Sequence, residues 1–234
     1  MNSSVANHHK QKARHISMRL ILIAGLFLLS LLVFSLIANE MVFEQEVQLD
    51  QKVFALLVPM QSPAFTGFMA GITFFGSAQF LLPAYLVVIG IFLFPKKFRK
   101  LSLDVAAVGI AGTAILFSLK SVFHRHRPPD PLVTHVLGFS FPSGHSFSSF
   151  TFYGLLIYLV WKLWPRSPWR WPVAILLFVF ASLIGFSRVY LHVHYASDVI
   201  AGLLLSIVWL TLSFWLMGML EDRAQEKQKS ELNS

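Results

Sequence analysis

Lys120-Ser-Val-Phe-His-Arg-His-Arg127-Pro128 closes an apolar run over residues 103–123. Two more polar stretches stand at the ends of apolar runs in the same way. They are Pro142-Ser143-Gly144-His145 and Ser187-Arg188-Val-Tyr-Leu-His-Val-His194-Tyr-Ala-Ser-Asp198. A bilayer crossing needs about 20 apolar residues, so each polar piece is expected at the mouth of a membrane helix. Three cations (Lys120, Arg127, Arg188), two histidines (His145, His194) and one carboxylate (Asp198) converge in a chain with only 13% charged residues. That is the composition of a phosphate-handling site.

The rest of the chain agrees with this frame. It has 234 residues, 56% of them hydrophobic, whereas soluble domains carry about 25% charged residues. The absence of cysteine excludes disulfides, a thiolate nucleophile and a cysteine zinc site. The formal charge of +8 comes from basic residues gathered at the ends of apolar runs, which fits membrane topology and not a nucleic-acid face. The expected fold class is all-α, a polytopic bundle of six transmembrane helices.

Residues 1–19 are basic (Lys10, Lys12, Arg14, Arg19), residues 20–219 form the membrane domain, and residues 220–234 form a tail. The run 20–38 reads as a retained first span, because a signal peptide has a shorter apolar region and a better cleavage site. Glu40, Glu44, Glu46 and Asp50 then give an acidic outer segment. Residues 53–95 carry no charge and nearly fit two crossings. A single crossing, over 80–94, keeps the basic clusters 96–100 and 162–170 on the same, inner side. Residues 53–79, with Pro59, Pro63, Gly67, Gly71 and Gly76, are then a surface or partly inserted segment. Spans at 103–123, 145–161, 171–186 and 194–219 complete the count, with Trp161, Trp164, Trp169 and Trp171 as an inner interfacial belt. Both termini are expected in the cytoplasm and the site at the outer membrane–water boundary.

Lys120 and Arg127 are seven residues apart, so a continuous helix would put them on one face about 10 Å apart. Either alone also reads as a snorkelling cation. Pro142-Ser143-Gly144-His145 is a helix start: Ser143 caps, and the free amides with the helix dipole form an anion site. The same tetrapeptide also reads as an ordinary helix entry. His194 and Asp198, spaced i, i+4, fall on one helical face, where the carboxylate fixes the imidazole tautomer or simply complements the helix N-terminus. His192 lies six residues from Asp198 and ranks below His194. His124, His126, His135 and the His192/His194 pair raise a zinc alternative, opposed by the neighbouring cations.

Together the three stretches resemble the type-2 phosphatidic acid phosphatase superfamily, with its pattern K-x6-R-P, P-S-G-H and S-R-x5-H-x3-D. Every defined position is filled over residues 120–198. The resemblance implies that His194 is the nucleophile, giving a phosphohistidine, and that Asp198 orients it. It implies that His145 protonates the leaving oxygen and then activates water. Lys120, Arg127, Ser143, Gly144 and Arg188 would hold the phosphate. It implies no metal and no cofactor.

The expected activity is hydrolysis of a membrane lipid phosphate at the outer face of the cell membrane. Undecaprenyl diphosphate, phosphatidylglycerol phosphate and phosphatidic acid are the candidate substrates. The expected partners are that lipid and the bilayer, with neither nucleic acid nor an obligate protein partner. A lipid phosphotransferase on the same fold is the first alternative. A transporter with an anion site is the second, disfavoured because spans three to six carry little charge at depth apart from Asp104 and Lys120. A soluble vanadate haloperoxidase shares the motifs but not the membrane spans.

Overall fold

A computed structural model describes residues 3–44, 47–134 and 138–232, without the side chains of 3–17, 19, 225, 227–229 and 232. The side chains of Lys10, Lys12, Arg14 and Arg19, and all of Glu46 and His135, lie outside the described residues.

The described chain is built from α-helices. They are α1 Ser3–Ala38, α2 Gln48–Leu57, α3 Pro63–Phe74, α4 Ala78–Leu93, α5 Arg99–Phe123, α6 Gly144–Leu163, α7 Arg170–Tyr190 and α8 Ala196–Leu232. Among the described residues five stretches are long and apolar enough to cross a membrane: Leu20–Phe43, Pro63–Leu93, Lys96–Phe123, Arg170–Tyr190 and Ala196–Ala224. Their outward faces are apolar, with Leu22, Leu82, Ile110, Phe117 and Leu176 all exposed, as a protein solvated by lipid requires.

Helix α6 is twenty residues long and lies inside the bundle against α7 and α8. Its Ser146, Phe147, Ser149, Phe150, Thr151, Phe152 and Tyr153 are all buried. In lipid such a bundle is held by close packing and not by apolar transfer from water. Gly202 of α8 shows how close that packing is: a Cβ there would lie 2.9 Å from the Ser143 carbonyl oxygen and from Ser146 Cβ. Phe34 and Ala38 of α1 join Leu116, Phe141, Phe147, Ala201 and Leu205 in an apolar cluster.

Four details differ from the sequence expectation. Residues 63–93 form one apolar stretch in two helices, α3 and α4, joined at Phe75–Ser77, so α3 is part of the bundle and packs on α7. A Cβ at Gly76, in that joint, would fall 2.5 Å from Ile184 Cγ2 and 2.6 Å from Ser149 Oγ, so only glycine allows the approach. Helix α7 continues to Tyr190, so Arg188 is helical, and α8 runs unbroken through the tail to Leu232. Helix α5 stops at Phe123, where His124 adopts a left-handed backbone (φ 45°). Arg127 therefore does not share a helical face with Lys120, and the prolines at 128 and 129 lie beyond the helix end.

The polar stretches gather at one end of the bundle. At the other end Lys100 of α5 and Lys162 of α6 both pair with Glu221 of α8, at 3.0 and 2.8 Å. Arg170 covers the Trp161 ring there at 4.4 Å.

Candidate active site

Beyond Phe123 the backbone leaves the helix, and His124, Arg125, His126 and Arg127 alternate outward and inward: the histidines are exposed, Arg125 is buried and Arg127 half-buried. The returning loop is laid alongside by a bond from the Ser140 amide to the Arg125 carbonyl, 2.8 Å. Lys120 reaches the same loop, donating to the Phe139 carbonyl at 2.8 Å. Arg127 donates to the carbonyls of Gly138 (2.9 Å) and Val193 (2.7 Å). Both cations are thus pre-positioned by backbone oxygens.

Ser143 is the N-cap of α6. Its hydroxyl accepts from the Ser146 amide at 3.4 Å and the Ser146 hydroxyl at 2.9 Å, while its own amide donates to the Asp198 carbonyl at 3.0 Å. The side chain is fully buried. The first-turn amides of Gly144 and His145 lie at the positive end of the helix, where no intrahelical carbonyl precedes them. A Cβ on Gly144 would lie 3.5 Å from Lys120 Cε, so the second motif abuts the first. His145 is within electrostatic reach of Arg188, His194, Arg127 and Lys120.

Between α7 and α8 the chain turns tightly, and the amides of Val193 and His194 both donate to the Arg188 carbonyl at 3.2 Å. His194 stands before α8, not on it, and is 2% exposed. Its Nδ1 lies 3.4 Å from Asp198 Oδ2 and its Nε2 lies 3.1 Å from an Arg127 Nη. A guanidinium only donates, so Nε2 is the acceptor and the ring proton resides on Nδ1, facing Asp198. Burial outweighs the pull of that carboxylate and lowers the His194 pKa to about 4, so the imidazole is neutral at physiological pH.

Asp198 is held on every side. Oδ2 accepts from the Tyr195 amide at 2.9 Å and from the Ser140 hydroxyl, and Oδ1 receives Arg125 at 2.6 Å. Asp198 therefore both orients His194 and sits at the α8 N-terminus, the two readings its position allowed. Arg188, 6% exposed, donates to Thr73 Oγ1 at 2.8 Å, and its Nε is buried without a hydrogen-bond partner among the described residues.

His192 turns away: its backbone is left-handed (φ 54°), its Nε2 lies 3.3 Å from Gln61 Nε2, and its ring is 4.5 Å from that of Phe54. Among the described residues no three His, Asp or Glu side chains gather as a metal-ligating group.

Sequence reasoning missed Arg125, Asp50, Ser140 and Thr73. The signal for Arg125 was its two-residue spacing from Arg127, which becomes meaningful only in an extended segment. Asp50 stood among four acids read as outer-surface charge, and Thr73 and Ser140 carried no signal.

The sequence pattern of the PAP2 superfamily matches residues 101–222. The chain is 34% identical over 205 residues to phosphatidylglycerophosphatase B of Bacillus subtilis, covering 86% of this chain and 98% of that one. It is 31% identical over 137 residues to the undecaprenyl-diphosphatase BcrC of the same organism, covering 56% and 66%. The crystal structure of a transmembrane PAP2-type phosphatidylglycerolphosphate phosphatase from Bacillus subtilis superposes with a TM-score of 0.74 at 29% identity, covering 84% of this chain and 96% of that one. With its motifs at one end of a helical membrane bundle, the chain belongs to the PAP2 superfamily and is a membrane phosphoric ester hydrolase.

Proposed function

We propose that this lipid phosphatase removes phosphate from a lipid mono- or diphosphate through a phosphohistidine at His194, without a metal ion. The observation that carries the reading is the state of that imidazole: neutral, with Nδ1–H toward Asp198 and the Nε2 lone pair toward Arg127. As the phosphate enters, Arg127 transfers its N–H from Nε2 to a phosphate oxygen. Nε2 then attacks phosphorus as the bond to the leaving oxygen breaks, and His145 gives that oxygen its proton. Asp198 stabilises the positive charge that develops on the ring. In the second half His145 takes a proton from water, the hydroxide attacks phosphorus, and the P–N bond breaks to release phosphate and neutral His194. Lys120, Arg127, Arg188 and the Gly144 amide hold the non-bridging oxygens, where charge accumulates in the transition state. The Ser143 hydroxyl, already a cap, contributes by keeping that amide in place.

Phosphatidylglycerol phosphate is the first candidate substrate, because the relative named for it matches along nearly its whole length. Undecaprenyl diphosphate is the second, and phosphatidic acid, expected from the motifs, is the third. All three keep their chains in the bilayer while the headgroup reaches the helix mouths. We place the site on the outer face of the cell membrane and both termini in the cytoplasm, with α6 as a sixth crossing. The basic ends of α5, α6 and α7, gathered opposite the site, support this orientation.

The test is phosphate release from mixed micelles of each lipid in excess EDTA. Wild type should release phosphate and His194→Ala should not. Equal release by both proteins would refute the nucleophile. Release only when an acceptor lipid is supplied would favour the phosphotransferase.

A further inference from the structure

The polar network around Asp198 does not end at the motif residues. Arg125, 8% exposed, donates one Nη to Asp198 Oδ1 at 2.6 Å and to Ser197 Oγ at 2.8 Å. Its other Nη reaches Asp50 Oδ2 at 3.0 Å, and the guanidinium lies over the Tyr195 ring at 4.1 Å. Asp50, on α2 and 2% exposed, also accepts from the Ser197 amide (2.9 Å) and hydroxyl (2.5 Å). Two buried carboxylates thus share one guanidinium at the positive N-terminus of α8. The side-chain partners of Arg125 and Asp50 are thus Asp198, Ser197, Tyr195 and each other, and not Lys120, Arg127 or Arg188.

We infer that Arg125 and Asp50 are positioning residues for the reaction, acting on His194 through Asp198. Arg125 fixes the rotamer of Asp198 by taking Oδ1, which leaves Oδ2 for the His194 Nδ1–H. Asp50 balances Arg125, so the guanidinium does not neutralise the charge that Asp198 offers to the phosphorylated imidazole. The balance needs both partners. Without Asp50, Arg125 draws on Asp198 alone. Without Arg125, two carboxylates face each other in a buried site, a costly arrangement because removing one partner strands the other charge. The geometry also favours arginine over lysine, since a single ammonium does not bridge two carboxylates along a planar fork. The inference rests on the reading of His194 and Asp198 as the reacting pair.

The test measures kcat and KM in detergent on monodisperse protein for Asp50→Asn, Arg125→Gln, Arg125→Lys, the double variant Asp50→Asn/Arg125→Gln, and His194→Ala as control. Charged hydrogen bonds of this kind are worth about tenfold to a hundredfold, so kcat should fall by that order in Arg125→Gln and by about tenfold in Asp50→Asn, with KM unchanged. Arg125→Lys should recover part of the loss. The double variant should be faster than Arg125→Gln, because it removes the stranded carboxylate. A role confined to docking α2 would instead lower melting temperature while leaving kcat of the folded protein at the wild-type value, and that result overturns the inference. Additive losses in the double variant also overturn it. If Arg125→Gln does not fold, kcat in Asp50→Asn and Arg125→Lys decides in the same way. Turnover by His194→Ala would sink the nucleophile assignment itself, a separate failure.

Discussion

An Arg127 N–H points at Nε2 of His194 from 3.1 Å, and that contact settles which ring nitrogen carries the proton. Asp198, 3.4 Å from Nδ1, reinforces the same tautomer. The arrangement leaves the Nε2 lone pair covered by a cation, and in the proposed mechanism a phosphate uncovers it by drawing the guanidinium away.

Asp198→Asn tests this pairing. An asparagine presents an amide N–H to the ring as readily as a carbonyl, so Nδ1–H loses its obligatory acceptor and the reactive tautomer its bias. By analogy with other carboxylate–histidine pairs, kcat should drop by about three to four orders of magnitude with the fold retained. Kinetics at saturating lipid together with a melting curve check this. Near-wild-type kcat would mean that Asp198 serves only the α8 N-terminus.

The depressed pKa of His194 has a consequence for stability. Folded His194 takes up a proton only near pH 4, whereas an unfolded histidine does so near about 6.5. Between those values the unfolded chain binds more protons, so this group's contribution makes the protein less stable as pH falls from about 6.5 to 4. Melting temperature in detergent, followed across that window, should decline more steeply for wild type than for His194→Ala. Parallel curves would mean that the buried imidazole takes up its proton at the same pH as in the unfolded chain, so that burial does not depress it.

Topology is open to labelling because the chain has no cysteine of its own. Thr134, in the exposed site-side loop, and Arg166, in the exposed turn after α6, lie at opposite ends of the bundle. A membrane-impermeant maleimide on intact cells should modify Thr134→Cys and spare Arg166→Cys. The reverse pattern would put the site in the cytoplasm.

Much of the candidate site was legible in the sequence. Lys120, Arg127, His145, Arg188, His194 and Asp198 stood out as polar groups in an apolar chain, and Ser143 and Gly144 as a helix start, and the fold draws the three motifs together at one end of the bundle. What the pattern could not show was where α5 ends. A helix continued to Arg127 would put Arg125 on a different face. The left-handed turn at His124 starts an extended segment instead, and the two arginines then point inward together. Asp50 was hidden for a related reason: its partner is remote in sequence, and an acid in an acidic loop looks solvated until a buried guanidinium is placed beside it. The uncharged stretch 53–95 hid α3 because it carries no charge to mark a turn, and its prolines and glycines read as an interrupted surface segment. Thr73 on Arg188 and Gly76 beside His145 put α3 and its joint with α4 against the candidate site.

The central claim is a covalent intermediate on His194, and the most direct measurement looks for it. His145→Ala, given an activated aryl phosphate, needs no proton on its leaving group yet lacks the base for the second step, so the intermediate should accumulate. After an alkaline quench, peptide mass spectrometry should find the phosphoryl group on His194. Turnover with no phosphoryl group there, or with one on another residue, would contradict the account.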